Sequence, residues 1–373
     1  MSQLPRGTEP QQDAGATVAR FEIRYTQYLD QDARPVARLP GLARDRGALE
    51  TLYGAMVRTR QFDRKAIALQ RTGQLGTYAS SLGQEAIGAA IGHAMRPEDV
   101  LLPAYREYAA QFLRGVTMHE ILLYWGGDER GMDFKGPRED FPLSVPIATH
   151  APHAAGVGYA FKLRRQPRVA VCVLGDGATS KGDFYESINM AGAHSLPVVY
   201  VVCNNMWAIS VPRSAQSAAE TLAQKALAAG FGGEQVDGND VIAMREVFGA
   251  ALERARAGHG PHLIEAITYR MSDHTTADDA TRYRTAEEVE RYARKDPIER
   301  LRNYLQSEGF WDAEAEQRLL AESDREVEKA VKAYLDTPAQ SPTAMFDYLY
   351  ATLPEALKAQ RARAAGKGGD GDA

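Results

Sequence analysis

Two Val-rich apolar runs, "RVAVCVL" (168–174) and "LPVVYVVC" (196–203), flank a segment, 183–194, whose apolar residues recur at helical spacing. Runs this short and continuous suit strands buried on both faces, and a helix joining two of them is the crossover of a parallel sheet. "PHLIEAITYR" (261–270) adds a third strand-like run. The pattern predicts an α/β fold, a mostly parallel sheet with helices on both faces.

Around this centre, "FEIRYTQYL" (21–29) alternates like a strand or arm, and "LETLYGAMVRTRQFDRKAIALQRTG" (49–73) reads as a helix stopped at Gly73. A second helix opens at "SSLGQEAIGAAIGHAM" (80–95), where Ser81 and Gln84 have capping-box spacing. Gly88 and Gly92 give it a small face suited to tight internal packing or to a subunit interface. A long helical stretch is expected from about Ala218, and amphipathic helices dominate after Tyr283, with a break at "DTPAQSP" (336–342). The domain organisation read from this is a mobile tail at 1–18, one α/β domain over 19–345, a terminal helix at 346–360 and a mobile tail at 361–373.

At 373 residues, 44% hydrophobic and 25% charged, the chain has the composition of a folded globular protein. A net charge of −5 offers no electrostatic attraction to nucleic acid or an anionic membrane surface. Cys172 and Cys203 lie inside apolar runs without metal-ligand spacing, so they read as small buried hydrophobes. No apolar stretch reaches membrane-spanning length and "MSQLPRGTEPQQDAGAT" lacks a secretory core; a reducing cytoplasm is the expected location.

Ligands of parallel sheets bind outside the carboxyl ends of the strands. Gly175-Asp176-Gly177 ends the first run and Asn204-Asn205 ends the second, so one strand–helix–strand unit brings Asp176 and Asn205 together. A carboxylate and an amide oxygen suit Mg²⁺, which shares octahedral oxygen coordination with phosphates, and Gly177 admits a phosphate at close range. Gly-Asp-Gly alone could equally be a strand-to-helix turn with a capping Asp.

With the Asn pair added, the pattern resembles the thiamine diphosphate motif. The chain is similar to alpha subunits of the decarboxylating component of 2-oxo acid dehydrogenase complexes, the pyruvate and branched-chain enzymes among them. The resemblance runs from about Arg58 to about Leu357. It rests on "GQEA" (83–86), "AYRE" (104–107), "GDGATSKGDFYESINMAG" (175–192), "LPVVYVVCNN" (196–205), "VDGNDV" (236–241), "GHGPHLIEAITYR" (258–270) and "HTTADDATRYR" (274–284).

The resemblance implies a thiamine diphosphate-binding fold with a helical C-terminal region. It implies Mg²⁺ held by Asp176, Asn205 and the backbone carbonyl of Trp207, and a diphosphate held by Tyr105, Arg106 and the backbone of Gly177 and Ala178. Val145 and Ile147 would lie against the aminopyrimidine ring, and the catalytic His274 beside the diphosphate. Ser144, Thr149 and His150 match positions for a monovalent cation. Cys203 departs from the Glu, Gln or Arg usual before the Asn pair, and a neutral thiol cannot replace an Arg on phosphate.

The implied activity is oxidative decarboxylation of pyruvate with acyl transfer to the lipoyl group of an acyltransferase component. The alternatives are branched-chain 2-oxo acids such as 3-methyl-2-oxobutanoate, and acetoin. The glutamate that activates the cofactor would come from a separate beta subunit in an α₂β₂ heterotetramer. A nicotinamide-dependent oxidoreductase is disfavoured by the lack of a G-x-G-x-x-G after a first strand, and a silent scaffold by the presence of Arg106, Asp176, Asn205 and His274.

Overall fold

The computed structural model describes residues 17–347 and 349–366. In chain order the strands are β1 (Tyr25–Thr26), β2 (Val100–Leu102), β3 (Ala170–Gly175), β4 (Val198–Asn204), β5 (Trp207–Ala208), β6 (Val211–Pro212), β7 (Gly233–Asp237) and β8 (His262–Ile267). Six form one parallel sheet in the order β1-β7-β8-β4-β3-β2, and β5 and β6 make a small antiparallel hairpin.

The strand period of two divides the core. Val171, Val173, Val199, Val201 and Cys203 face one side, packing with helices Arg46–Arg71, Glu85–Ala94 and Val241–Arg256. Cys172, Leu174, Val198, Tyr200 and Val202 face the other, against helices His150–Leu163 and Gly182–Ala193. Both faces of β3 and β4 are dry, which is why their sequences run apolar without alternation.

Several expectations are corrected. The long helix expected from Ala218 is a single turn, Lys225–Ala228, followed by the unanticipated β7. Gly230 takes φ +81° there, and a side chain at Gly233 would stand 2.4 Å from the Ala223 carbonyl. The buried Glu265 carboxylate accepts from the amides of Leu222 and Ala223 and from Gln235, so the segment is tied to β8. The capping box at Ser81 and Gln84 does not form, because the Gln84 side chain turns to Asn205. The small face of Glu85–Ala94 serves internal packing: a Cβ at Gly92 would lie 2.8 Å from Leu113 Cβ and 2.9 Å from Ala110 Cα.

The terminal helix spans Glu355–Gly366 rather than 346–360, and so includes part of the segment expected to be mobile from 361. The expected tail at 1–18 falls mostly on residues 1–16, and the end of the other on 367–373, outside the described residues. No helix among the described residues is long and apolar enough to cross a membrane.

Candidate active site

A cleft opens at the carboxyl ends of β3 and β4, where both strands stop together in register, Gly175 opposite Cys203. Asp176 begins the tight turn Asp176–Ser180 and is 2% exposed. Burial pushes its carboxyl up to about 6, against the hydrogen bonds from backbone amides that oppose the shift. Its Oδ2 is buried with no hydrogen-bond partner. A lone carboxylate oxygen in that position fits a cation as partner.

Asn205 follows β4 and is held at both ends of its amide. Nδ2 donates to Gln84 Oε1 at 3.2 Å, and Oδ1 accepts from the Trp207 amide at 3.3 Å. The backbone between is forced: Met206 has φ +71° and the β-branched Ile209 has φ +55°. Such strain persists where surrounding contacts over-determine it, and it gathers at working sites. Here the anchor is Arg270, fully buried, donating to the carbonyls of Trp207 (3.2 Å) and Ile209 (2.8 Å) and to the Tyr283 hydroxyl (2.8 Å). The Trp207 carbonyl keeps its second lone pair.

Among the described residues no three His, Cys, Asp or Glu side chains gather as a metal cluster. A cation between Asp176 and Asn205 would therefore complete its shell with ligand oxygens and water, as Mg²⁺ does on phosphates.

Tyr105, Arg106, Glu107 and His274 also line the cleft. Arg106 makes no ion pair among the described residues. Its Nη1 donates to the Ser80 carbonyl and its Nη2 to the His274 carbonyl at 2.6 Å, with His274 Nδ1 at 3.2 Å. Arg270 Nη1 lies 3.4 Å from the same ring nitrogen. Two guanidinium donors on Nδ1 make it the acceptor and leave the proton on Nε2. Burial, then Arg106 and Arg270, holds the imidazole pKa down to about 4, so the ring is neutral at physiological pH.

Glu107 lines the cleft in a buried position, and burial raises its carboxyl to about 7. Burial, with Glu107 and Asp176 nearby, holds the Cys203 thiol well above its usual range, so it faces the cleft as a neutral group.

The structure thus brings Tyr105, Arg106, Ile147, Asp176, Gly177, Ala178, Asn205, Trp207 and His274 to one cleft. Val145 is not on its wall and is 44% exposed. The space beside Gly177 is taken by protein rather than left open, since a Cβ there would lie 2.8 Å from Ala208 Cβ. Ser144 and Thr149 hydroxyls lie 3.2 Å apart, and each donates to the Pro146 carbonyl. His150 does not join them: its Nε2 donates to the Val173 carbonyl at 2.7 Å.

The sequence pattern gives Gln84 only a capping role and gives none to Glu107 or Arg270. For Arg270 a signal was present, a cation ending the apolar run "LIEAITYR" (263–270).

The chain matches the family model described as "Dehydrogenase E1 component" over residues 53–343. It is 42% identical over 313 residues to "3-methyl-2-oxobutanoate dehydrogenase subunit alpha" of Mycobacterium tuberculosis (strain ATCC 25618 / H37Rv), covering 84% of this chain and 85% of that protein. It is 39% identical over 347 residues to "Pyruvate dehydrogenase E1 component subunit alpha" of Staphylococcus aureus (strain N315), covering 92% of this chain and 93% of that protein.

Proposed function

The chain belongs to the dehydrogenase E1 component family, and from that membership we propose that it is the alpha subunit of a 2-oxo acid dehydrogenase acting on pyruvate or on 3-methyl-2-oxobutanoate. The observation that carries the reading is the partnerless Oδ2 of Asp176 in a cleft lined also by Asn205, Arg106 and the neutral His274.

Asp176, Asn205 and the Trp207 carbonyl would hold Mg²⁺. Tyr105, Arg106 and the amides of Gly177 and Ala178 would hold the diphosphate, an Arg suiting bidentate phosphate contact. Ile147 would lie along the aminopyrimidine ring. Thiamine diphosphate, when bound, supplies the nucleophilic carbon and electron sink on which a 2-oxo acid loses carbon dioxide.

The protein's own part is orientation and charge. The two hydrogen bonds of the Asn205 amide, to Gln84 and from the Trp207 amide, fix the direction of the oxygen that would ligate the metal. Arg106 couples the diphosphate wall to the loop that carries His274. His274, with its proton on Nε2, presents a neutral hydrogen-bond donor to the mouth of the cleft. The oxygens of Ser144, Pro146 and Thr149 offer a place for a monovalent cation, to which the nitrogen of His150 adds no oxygen ligand.

Among the described residues no carboxylate other than Glu107 and Asp176 lines the cleft, in keeping with a beta subunit supplying the activating glutamate in an α₂β₂ assembly. The lipoyl group of an acyltransferase would accept the acyl product. The two relatives support the two substrates about equally. Co-expression with the beta subunit, followed by Mg²⁺- and thiamine diphosphate-dependent turnover of pyruvate, 3-methyl-2-oxobutanoate and acetoin, tests the reading. Turnover of neither oxo acid by the complex overturns it, and robust turnover by the isolated chain overturns the shared site.

A further inference from the structure

Behind the Asp176–Ser180 turn lies a buried ammonium that the cleft itself does not use. Lys225, in the short helix Lys225–Ala228, is 7% exposed and forms no salt bridge among the described residues. Its Nζ donates to the Thr179 carbonyl at 2.8 Å and to the Thr179 hydroxyl at 3.0 Å, and lies 5.2 Å from the Tyr185 ring centroid. The fully buried Thr179 hydroxyl passes the contact on, donating to the Asp176 carbonyl at 2.8 Å. Gln216 Nε2 donates to that same carbonyl at 2.8 Å.

A lysine withdrawn from water without a carboxylate costs several kcal/mol as a rule, whereas a neutral side chain of similar length could fill the same space. Both hydrogen bonds of the ammonium go to one residue, Thr179, three positions past Asp176. The turn it clamps is the segment whose front carries the orphaned Asp176 Oδ2 and the amides of Gly177 and Ala178.

We propose that Lys225 is a positioning residue for cofactor binding: through Thr179 it holds the Asp176–Ser180 turn in the shape that receives Mg²⁺ and a diphosphate. This rests on the functional reading above. Lys225 touches neither the metal nor the diphosphate; it acts by fixing the backbone that does.

The test uses the complex with the beta subunit and titrates Mg²⁺–thiamine diphosphate into the parent, Lys225→Met, Lys225→Arg and Thr179→Val. Binding is followed by tryptophan fluorescence and by the rise in Tm that the cofactor produces. Lys225→Met and Thr179→Val are expected to raise the apparent Kd about tenfold, the scale of one hydrogen bond to a charged group. They should also shrink the cofactor-induced rise in Tm, while Lys225→Arg recovers most of both. Thr179→Val keeps the charge and the Lys225 bond to the backbone carbonyl of residue 179 while removing the hydroxyl that passes the contact to Asp176, so it carries the test if Lys225→Met fails to assemble. Parent-like affinity in the variants, with only the cofactor-free Tm altered, reduces Lys225 to a packing role and overturns the inference. A parent complex that binds no thiamine diphosphate overturns the inference and the functional reading together.

Discussion

Arg106 holds His274, a residue 168 positions further along the chain, by its backbone and its ring at once, Nη2 lying 2.6 Å from the carbonyl and 3.2 Å from Nδ1. The loop that carries His274 is also pinned at Thr276, which pairs with Tyr78 through its amide and its hydroxyl. Arg106 therefore has two functions in one guanidinium, organising the loop and facing the cleft.

Substituting Arg106 separates those functions. Arg106→Lys keeps the charge but loses the fork that reaches Ser80 and His274 together. Cofactor Kd should rise about tenfold in Arg106→Lys and about a hundredfold in Arg106→Ala, read by titration of the assembled complex. Equal affinity in parent and Arg106→Ala would remove Arg106 from the diphosphate wall.

The parts of this site that could be read in the sequence are those set by local periodicity. β3 and β4 announce themselves because both faces are buried, and their ends place Asp176 and Asn205 by topology alone. β7 was hidden because "GEQVD" carries one apolar residue, Val236, and its hydrogen bonds come from neighbours distant in sequence. Gln84 was mistaken for a capping residue because spacing describes only its own helix. Its actual partner, Asn205, is 121 residues away. Arg270 and Lys225 share that history, since each acts on backbone carbonyls that no pattern of side chains encodes.

His274 titrates outside the working range. Its pKa is held down to about 4 by burial and two guanidinium groups, so between that value and the ordinary 6.5 the unfolded chain binds more protons than the folded one. Stability attributable to this residue rises with pH through that window. Turnover of the complex between pH 6 and 8 should consequently show no inflection that His274→Gln removes, although His274→Gln lowers kcat. An inflection near pH 6.5 that disappears in the variant would mean the imidazole is charged in the working enzyme.

Gly192 supplies a test of packing away from the cleft. A Cβ there would lie 1.9 Å from the Ala229 carbonyl oxygen, backbone that cannot yield cheaply. Gly192→Ala should cost about 3 kcal/mol, at the upper end of overpacking effects, measured as a fall in the denaturant midpoint. A midpoint unchanged within error would show that helix Gly182–Ala193 can shift away from the Ala229 turn.

Glu107 gives the opposite pH signature from His274. Burial lifts its carboxyl from 4.5 to about 7, so across that interval the folded protein binds the proton that the unfolded chain releases. Stability contributed by the neutral acid is complete below about 4.5 and is lost as pH rises through 7. Above that point the cost is on the order of 3 kcal/mol, from 1.36 kcal/mol per pKa unit. Glu107→Gln preserves the size and neutrality of the protonated acid and cannot ionise, so its Tm should match the parent near pH 5 and exceed it at pH 8.5. The difference identifies a carboxyl kept neutral inside the cleft, where a second negative charge beside Asp176 would oppose an anionic ligand. Parallel Tm curves for parent and variant from pH 5 to 8.5 would show that the folded protein leaves Glu107 ionised throughout.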